Sequence, residues 1–174
     1  MSKAARWLLV ALCMGTVQAA APQAPPENRL IDYEGFLAGA REVAALRKER
    51  RVGEAEFIRM SREPGTVILD ARSEQKYRML HIDGAKNLSL PDITESELAK
   101  VIPEKKTRIL IYCNNNFLNE VAAFPTKAIR ASLNLYTFNT LHSYGYSNVY
   151  ELGPLIDIRS SKLVFAGELL AAQR

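Results

Sequence analysis

The sequence predicts an α/β fold: a doubly wound parallel sheet flanked by helices, with a helical extension ahead of it. Three observations carry this. The run Ile109-Leu110-Ile111-Tyr112 is made of strand formers without alternation, the pattern of a strand buried on both faces. Thr66–Asp70 reads as a parallel strand and Val149–Leu152 as a further strand. Segments with helical spacing separate them, so strands alternate with helices. At 174 residues, 48% of them hydrophobic, the chain suits one domain with a sizeable core. The formal net charge is +4, but bases and acids are interspersed, which argues against nucleic-acid binding.

The first 19 residues read as a secretory signal. Lys3 and Arg6 precede a short apolar core, Trp7 to Val17, and Val17-Gln18-Ala19 predicts cleavage after Ala19. A retained membrane span would need about 20 apolar residues. Bulky Leu12 argues against a lipoprotein site at Cys13. The expected location is therefore the periplasm or the exterior of a bacterium, with no stable membrane anchor. Cleavage leaves Cys113 as the only cysteine, so no intramolecular disulfide can form.

Residues 20–32, with Pro22, Pro25 and Pro26, predict a linker. Residues 33–61 predict a helical extension. Phe36, Leu37, Ala40, Val43, Ala44 and Leu46 recur at helical spacing, and Arg47 to Arg51 supplies a basic end. A second short helix, Glu54–Ser61, would turn Phe57 and Ile58 inward. The main domain then spans 62–174. After the Thr66–Asp70 strand, Ser73 caps a helix through Leu80, and Ala85 to Leu90 predicts a short strand. Thr94 and Glu97 predict a capping box on a helix ending near Pro103. Beyond Cys113, Glu120 to Ala131 is helical in composition, interrupted by Pro125. Asn134–Tyr136 predicts a short strand, and Phe138–Tyr144 a short helix closed by Gly145. Gly153-Pro154 breaks the last strand, and the tail from Ile156 has no single pattern.

Cys113 stands where open α/β sheets place their sites, at the carboxyl end of a central strand. The N–H groups of the following loop, with the positive end of a helix, favour an anion there. A thiol so placed is expected to be thiolate-rich at neutral pH. The alternative is a buried structural cysteine.

Four segments in order, Ile68-Leu-Asp-Ala-Arg72, His81-Ile-Asp-Gly-Ala85, Ile109-Leu-Ile-Tyr-Cys113 and Gly145-Tyr-Ser-Asn-Val149, resemble the rhodanese-like domain, the thiosulfate:cyanide sulfurtransferase fold. The likeness runs from about Val52 to Leu152. It implies that Cys113 is a nucleophile that takes a sulfane sulfur as a persulfide and passes it on. Asn114, Asn115, Asn116, Phe117, Leu118 and Asn119 would form the cradle, with Asp70, Arg72 and His81 in support. Asp70–Arg72 also reads as a structural ion pair, and His81 as a hydrogen-bonded structural histidine. The implied partners are a small sulfur-containing donor, a thiol or anion acceptor and a periplasmic partner protein. No metal or cofactor is implied. The chain departs from the family pattern in having no cation in its loop, Leu80 in place of a glycine, and extra residues around Asn134–Tyr144. Phosphatases and arsenate reductases of this fold end the loop in arginine; Asn119 stands there, which argues against that chemistry. A non-catalytic binding or sensing module and a thiol redox protein are the alternatives.

Overall fold

The computed structural model describes residues 28–171. The expected signal peptide and residues 20–27 of the linker lie outside them. The chain runs α1 (Tyr33–Arg50), β1 (Arg51–Val52), α2 (Glu54–Ser61), β2 (Thr66–Asp70), α3 (Glu74–Met79), β3 (His81–Ile82), β4 (Lys86–Asn87), α4 (Glu95–Val101), β5 (Arg108–Tyr112), β6 (Phe117–Leu118), α5 (Leu133–Ser143), β7 (Val149–Leu152), β8 (Ile156–Asp157), β9 (Phe165–Ala166) and α6 (Glu168–Ala171).

Five strands form one parallel sheet in the order β1-β7-β5-β2-β4. Strand β5 is central, paired with β2 along its whole length and with β7 on its other side. Its side chains alternate between two cores. Ile109 and Ile111 pack with Val43 of α1, Leu98 of α4 and Phe138 of α5, while Leu110 and Tyr112 pack with Phe57 and Met60 of α2. Both faces are covered, which is why β5 tolerates four consecutive apolar residues.

Local chemistry explains several helix ends, although Ser73, at the start of α3, makes no side-chain capping bond. Asp32 caps α1 by accepting from the Gly35 N–H at 2.7 Å, and Arg47, Lys48 and Arg50 sit in its last turn, where the dipole favours cations. Thr94 Oγ1 accepts from the Glu97 N–H. Only this half of the expected capping box forms, because the Glu97 carboxylate turns to Lys100. Gly145 closes α5 with φ of +82°, a conformation that costs glycine little.

Three expectations need correction. The strand expected over Ala85–Leu90 is only β4, after which Leu90–Asp92 forms a 3-10 turn around Pro91. The expected helix over Glu120–Ala131 is irregular apart from a 3-10 turn at Ile129–Ala131. Its backbone finds other partners: the carbonyls of Ala122 and Ala123 accept from Lys76 and Arg72, and Lys127 is bonded through both backbone groups to Asn115. Asn134–Tyr136 is not a strand but the first part of α5. The patternless tail adds β8 beside β6 and β9 antiparallel to β3.

Candidate functional site around Cys113

Cys113 follows Tyr112 at the carboxyl end of β5, and alternation places its side chain on the face of Ile109 and Ile111, beneath α1 and α5. It is 1% exposed. The residue caps a 3-10 turn, Asn114–Asn116. Its sulfur accepts from the Asn116 N–H, while Asn116 Oδ1 accepts from the Cys113 N–H at 2.9 Å. The Asn114 and Asn115 N–H groups open the turn and have no acceptor within it. Ser132 Oγ lies 3.4 Å from Cys113 Sγ, where either atom can donate.

The asparagines do different jobs. Asn116 Nδ2 donates to the carbonyls of Leu152 and Pro154, fastening the turn to the end of β7. Asn115 brackets the backbone of Lys127. Asn114 is buried, and its Oδ1 has no partner among the described residues. Asn134, which sequence reasoning did not select, donates to Asn116 Oδ1 at 3.2 Å.

Phe117, Leu118 and Asn119 do not line the thiol cavity. Phe117 is buried against Phe124, Phe165 and Tyr112, with ring centroids 4.5, 5.4 and 5.9 Å away. Pairing of β6 with β8 carries Leu118 and Asn119 away from the sulfur. Asn119 adopts φ of +67°, which asparagine tolerates. The Arg159 guanidinium and the Asn119 side chain hold the Asp157 carboxyl well below the usual carboxylate range. The turn that surrounds the sulfur is therefore three residues long rather than six.

Asp70, Arg72 and His81 do not line the cavity either. Arg72 is buried and donates to both Asp70 oxygens and to the carbonyls of Leu80 and Ala123, at 2.8 and 3.0 Å. Burial works against its charge, but the bonds to Asp70 prevail and raise its pKa. Tyr112 Oη completes the cluster by donating to Asp70, and burial pushes that phenol well above its ordinary pKa. His81 bonds the Tyr77 carbonyl through Nδ1 at 2.7 Å and stacks on the Tyr77 ring.

The cavity at the thiol holds about 350 Å³ and is lined by Arg47, Arg51, Cys113, Ser132, Asn134 and Glu151 among others. Arg47 forms a bidentate pair with Glu151, at 2.8 Å from Nε and 2.6 Å from Nη2. Arg51 Nε is 3.0 Å from the same carboxylate, and its Nη2 donates to the Gly153 carbonyl. The bonds to Glu151 outweigh desolvation and raise the Arg47 pKa. Two guanidiniums against one carboxylate leave one positive charge beside the sulfur. Nothing local in the sequence pointed here, except that Glu151 is a charged residue in an otherwise apolar strand, where one is rarely buried without a partner.

Among the described residues, no group of three or more His, Cys, Asp or Glu side chains could hold a metal ion, and no helix is long and apolar enough to cross a membrane. A family model for the rhodanese-like domain matches residues 54–153. No curated protein matches the chain. Among solved structures, the chain is similar to a rhodanese from E. coli described with anions, at 19% identity over 59% of this chain and 99% of that one, with a TM-score of 0.40. A Bacillus halodurans protein matches at 19% identity over 78% and 88% of the two chains, with a TM-score of 0.49. The rhodanese-like domain of an Anabaena protein, solved by NMR, matches at 24% identity over 70% and 82%, with a TM-score of 0.47.

Proposed function

The chain belongs to the rhodanese-like domain family, and from that premise we propose that it is a sulfurtransferase carrying a sulfane sulfur as a persulfide on Cys113. One observation carries this reading: the Cys113 sulfur accepts from the Asn116 N–H and borders a cavity that also holds Arg47, Arg51 and Ser132. The Cys113 thiolate attacks the outer sulfur of the donor. The donor's sulfur–sulfur bond breaks and its electron pair leaves with the remainder, as sulfite when the donor is thiosulfate. The product is a cysteine persulfide anion. An acceptor nucleophile then takes the terminal sulfur, cyanide leaving as thiocyanate or a thiolate leaving as its own persulfide, and the thiolate returns.

The N–H groups of Asn114 and Asn115 would face charge on the terminal sulfur. Ser132 Oγ would donate to the thiolate, and Arg47 would supply the positive charge that the loop lacks. The leader sequence supports export with cleavage after Ala19, and hence a periplasmic or secreted location where a partner protein would deliver or collect the sulfur.

Intact mass of the purified mature protein before and after thiosulfate, with Cys113→Ser as control, tests this. A gain of one sulfur atom, discharged by cyanide and absent from the variant, is the expected result. No gain with thiosulfate or with an organic persulfide would overturn it. That outcome would favour a catalytically silent binding module, a reading that rests on the near-complete burial of the thiol.

A further inference from the structure

The family match begins at residue 54, so α1 lies outside it. Helix α1 is nonetheless fixed to the domain, by Arg47 on Glu151 of β7 and by Glu42 facing His142 Nε2 of α5 at 3.0 Å. Between α1 and α5 lies a groove of about 260 Å³. Phe36, Ala40, Val43 and Ala44 wall it on one side, Leu135 and Tyr136 on the other. The Phe36 and Tyr136 rings remain 43% and 42% exposed there. Apolar surface gathered in a concave place is what ligand sites are made of.

Two polar groups define what would fit. Asn139 lines the groove and is 6% exposed, yet its Oδ1 has no hydrogen-bond partner among the described residues. Buried amide oxygens are seldom left without a donor. The residue of α1 opposite is Gly39, whose Cβ position would lie 3.5 Å from that oxygen, and glycine has no side-chain donor to offer. Arg130 also lines the groove. No carboxylate does, and Arg130 makes no ion pair among the described residues. The other guanidinium there, Arg47, is already held by Glu151. An occupant that meets all of these has an apolar ring, an O–H or N–H for Asn139 Oδ1 and an anion for Arg130. The volume lies just below the roughly 300–1,000 Å³ usual for ligand cavities, which suits a single ring better than a peptide helix.

We propose that the α1–α5 groove is a binding site for a small hydroxyaryl carboxylate, its ring between Phe36 and Tyr136, its hydroxyl donating to Asn139 Oδ1 and its carboxylate paired with Arg130. A phenol, with a pKa of about 10 like that of tyrosine, keeps the proton it must donate at neutral pH. The site is separate from the thiol, and the proposal does not depend on persulfide chemistry.

The test is isothermal titration calorimetry on the full mature chain with 4-hydroxyphenylacetate, phenylacetate, 2-(4-hydroxyphenyl)ethanol and octanoate. The first should bind saturably at one site. Phenylacetate, which lacks the hydroxyl, and the ethanol analogue, which lacks the carboxylate, should each bind about tenfold more weakly, the usual weight of one hydrogen bond or charge-assisted contact. Arg130→Gln should remove the advantage of the carboxylate and keep that of the hydroxyl. Ala44 is exposed at the groove, so Ala44→Trp should fill it without disturbing the core and abolish binding. Cys113→Ser should bind as the wild type does. Absence of saturable binding by 4-hydroxyphenylacetate would overturn the proposal. So would equal affinity for all the probes, tighter binding of octanoate, binding that Ala44→Trp leaves intact, or binding lost in Cys113→Ser.

Discussion

Two arginine–carboxylate clusters lie at the carboxyl end of the same sheet, and they differ in every respect that matters to function. In the first, Arg72 and Asp70 are two residues apart and fully buried, and Arg72 has partners at Nε and both terminal nitrogens. In the second, Arg47 and Glu151 are 104 residues apart, Arg51 is half exposed, and the three surround open space beside a thiol. A buried cluster whose donors are mostly spent within the fold has little bonding capacity to offer a ligand. A cluster with excess positive charge and a cavity has more. The difference locates chemistry more sharply than the presence of charge alone.

The first way to break the contrast is Arg72→Met. It strands the Asp70 carboxylate in the core and should cost about 3–5 kcal/mol in urea unfolding followed by circular dichroism. A wild-type midpoint would mean that Asp70 does not depend on its partner. Next, Arg47→Gln should slow sulfur loading of Cys113 by roughly ten- to a hundredfold, the usual weight of a charge-assisted contact to a reacting anion. Its effect on unfolding should be smaller than that of Arg72→Met, because Arg51 still faces Glu151. Glu151→Gln sharpens the comparison from the opposite side. Releasing both guanidiniums should speed loading by thiosulfate, a dianion, about three- to tenfold in the same mass assay.

The smallest effect is expected away from both clusters, at Asp157. Its folded-state pKa is depressed by Arg159 and Asn119, so the stabilisation is present above the unfolded value of about 3.9 and is lost progressively as pH falls from there towards the lower folded-state value. Between pH 5 and pH 3 the wild type should lose slightly more stability than Asp157→Asn. Parallel urea midpoints at the two pH values would check the sign.

The same contrast explains what the sequence could reveal. Strands β2 and β5 were legible because burial on both faces leaves the apolar runs Val67–Leu69 and Ile109–Tyr112, and β7 was legible although Glu151 interrupts its apolar residues. Asp70 and Arg72 were readable as an ion pair because they are near neighbours in sequence. Three things were not legible. The direction of Phe117 depends on β8, a two-residue strand in a patternless tail. The irregular path of 120–128 depends on Lys76, Arg72 and Asn115 bonding its backbone from elsewhere in the fold. The convergence of Arg47, Arg51 and Glu151 is set by docking of α1, whose basic end reads locally as no more than a favourable helix terminus.

The 104-residue span between Arg47 and Glu151 also sets an order of events during biosynthesis. Arg47 is made early, Cys113 follows, and Glu151 comes last of the three. Until β7 has been made and has paired with β5, no carboxylate exists to hold the Arg47 guanidinium beside the thiol, and closing so long a loop is paid in chain entropy only when the sheet can compensate. A nascent chain therefore exposes a cysteine without its cation. On the persulfide reading proposed above, the thiol would gain the neighbouring guanidinium only when the last strand of the central sheet pairs, at the end of folding.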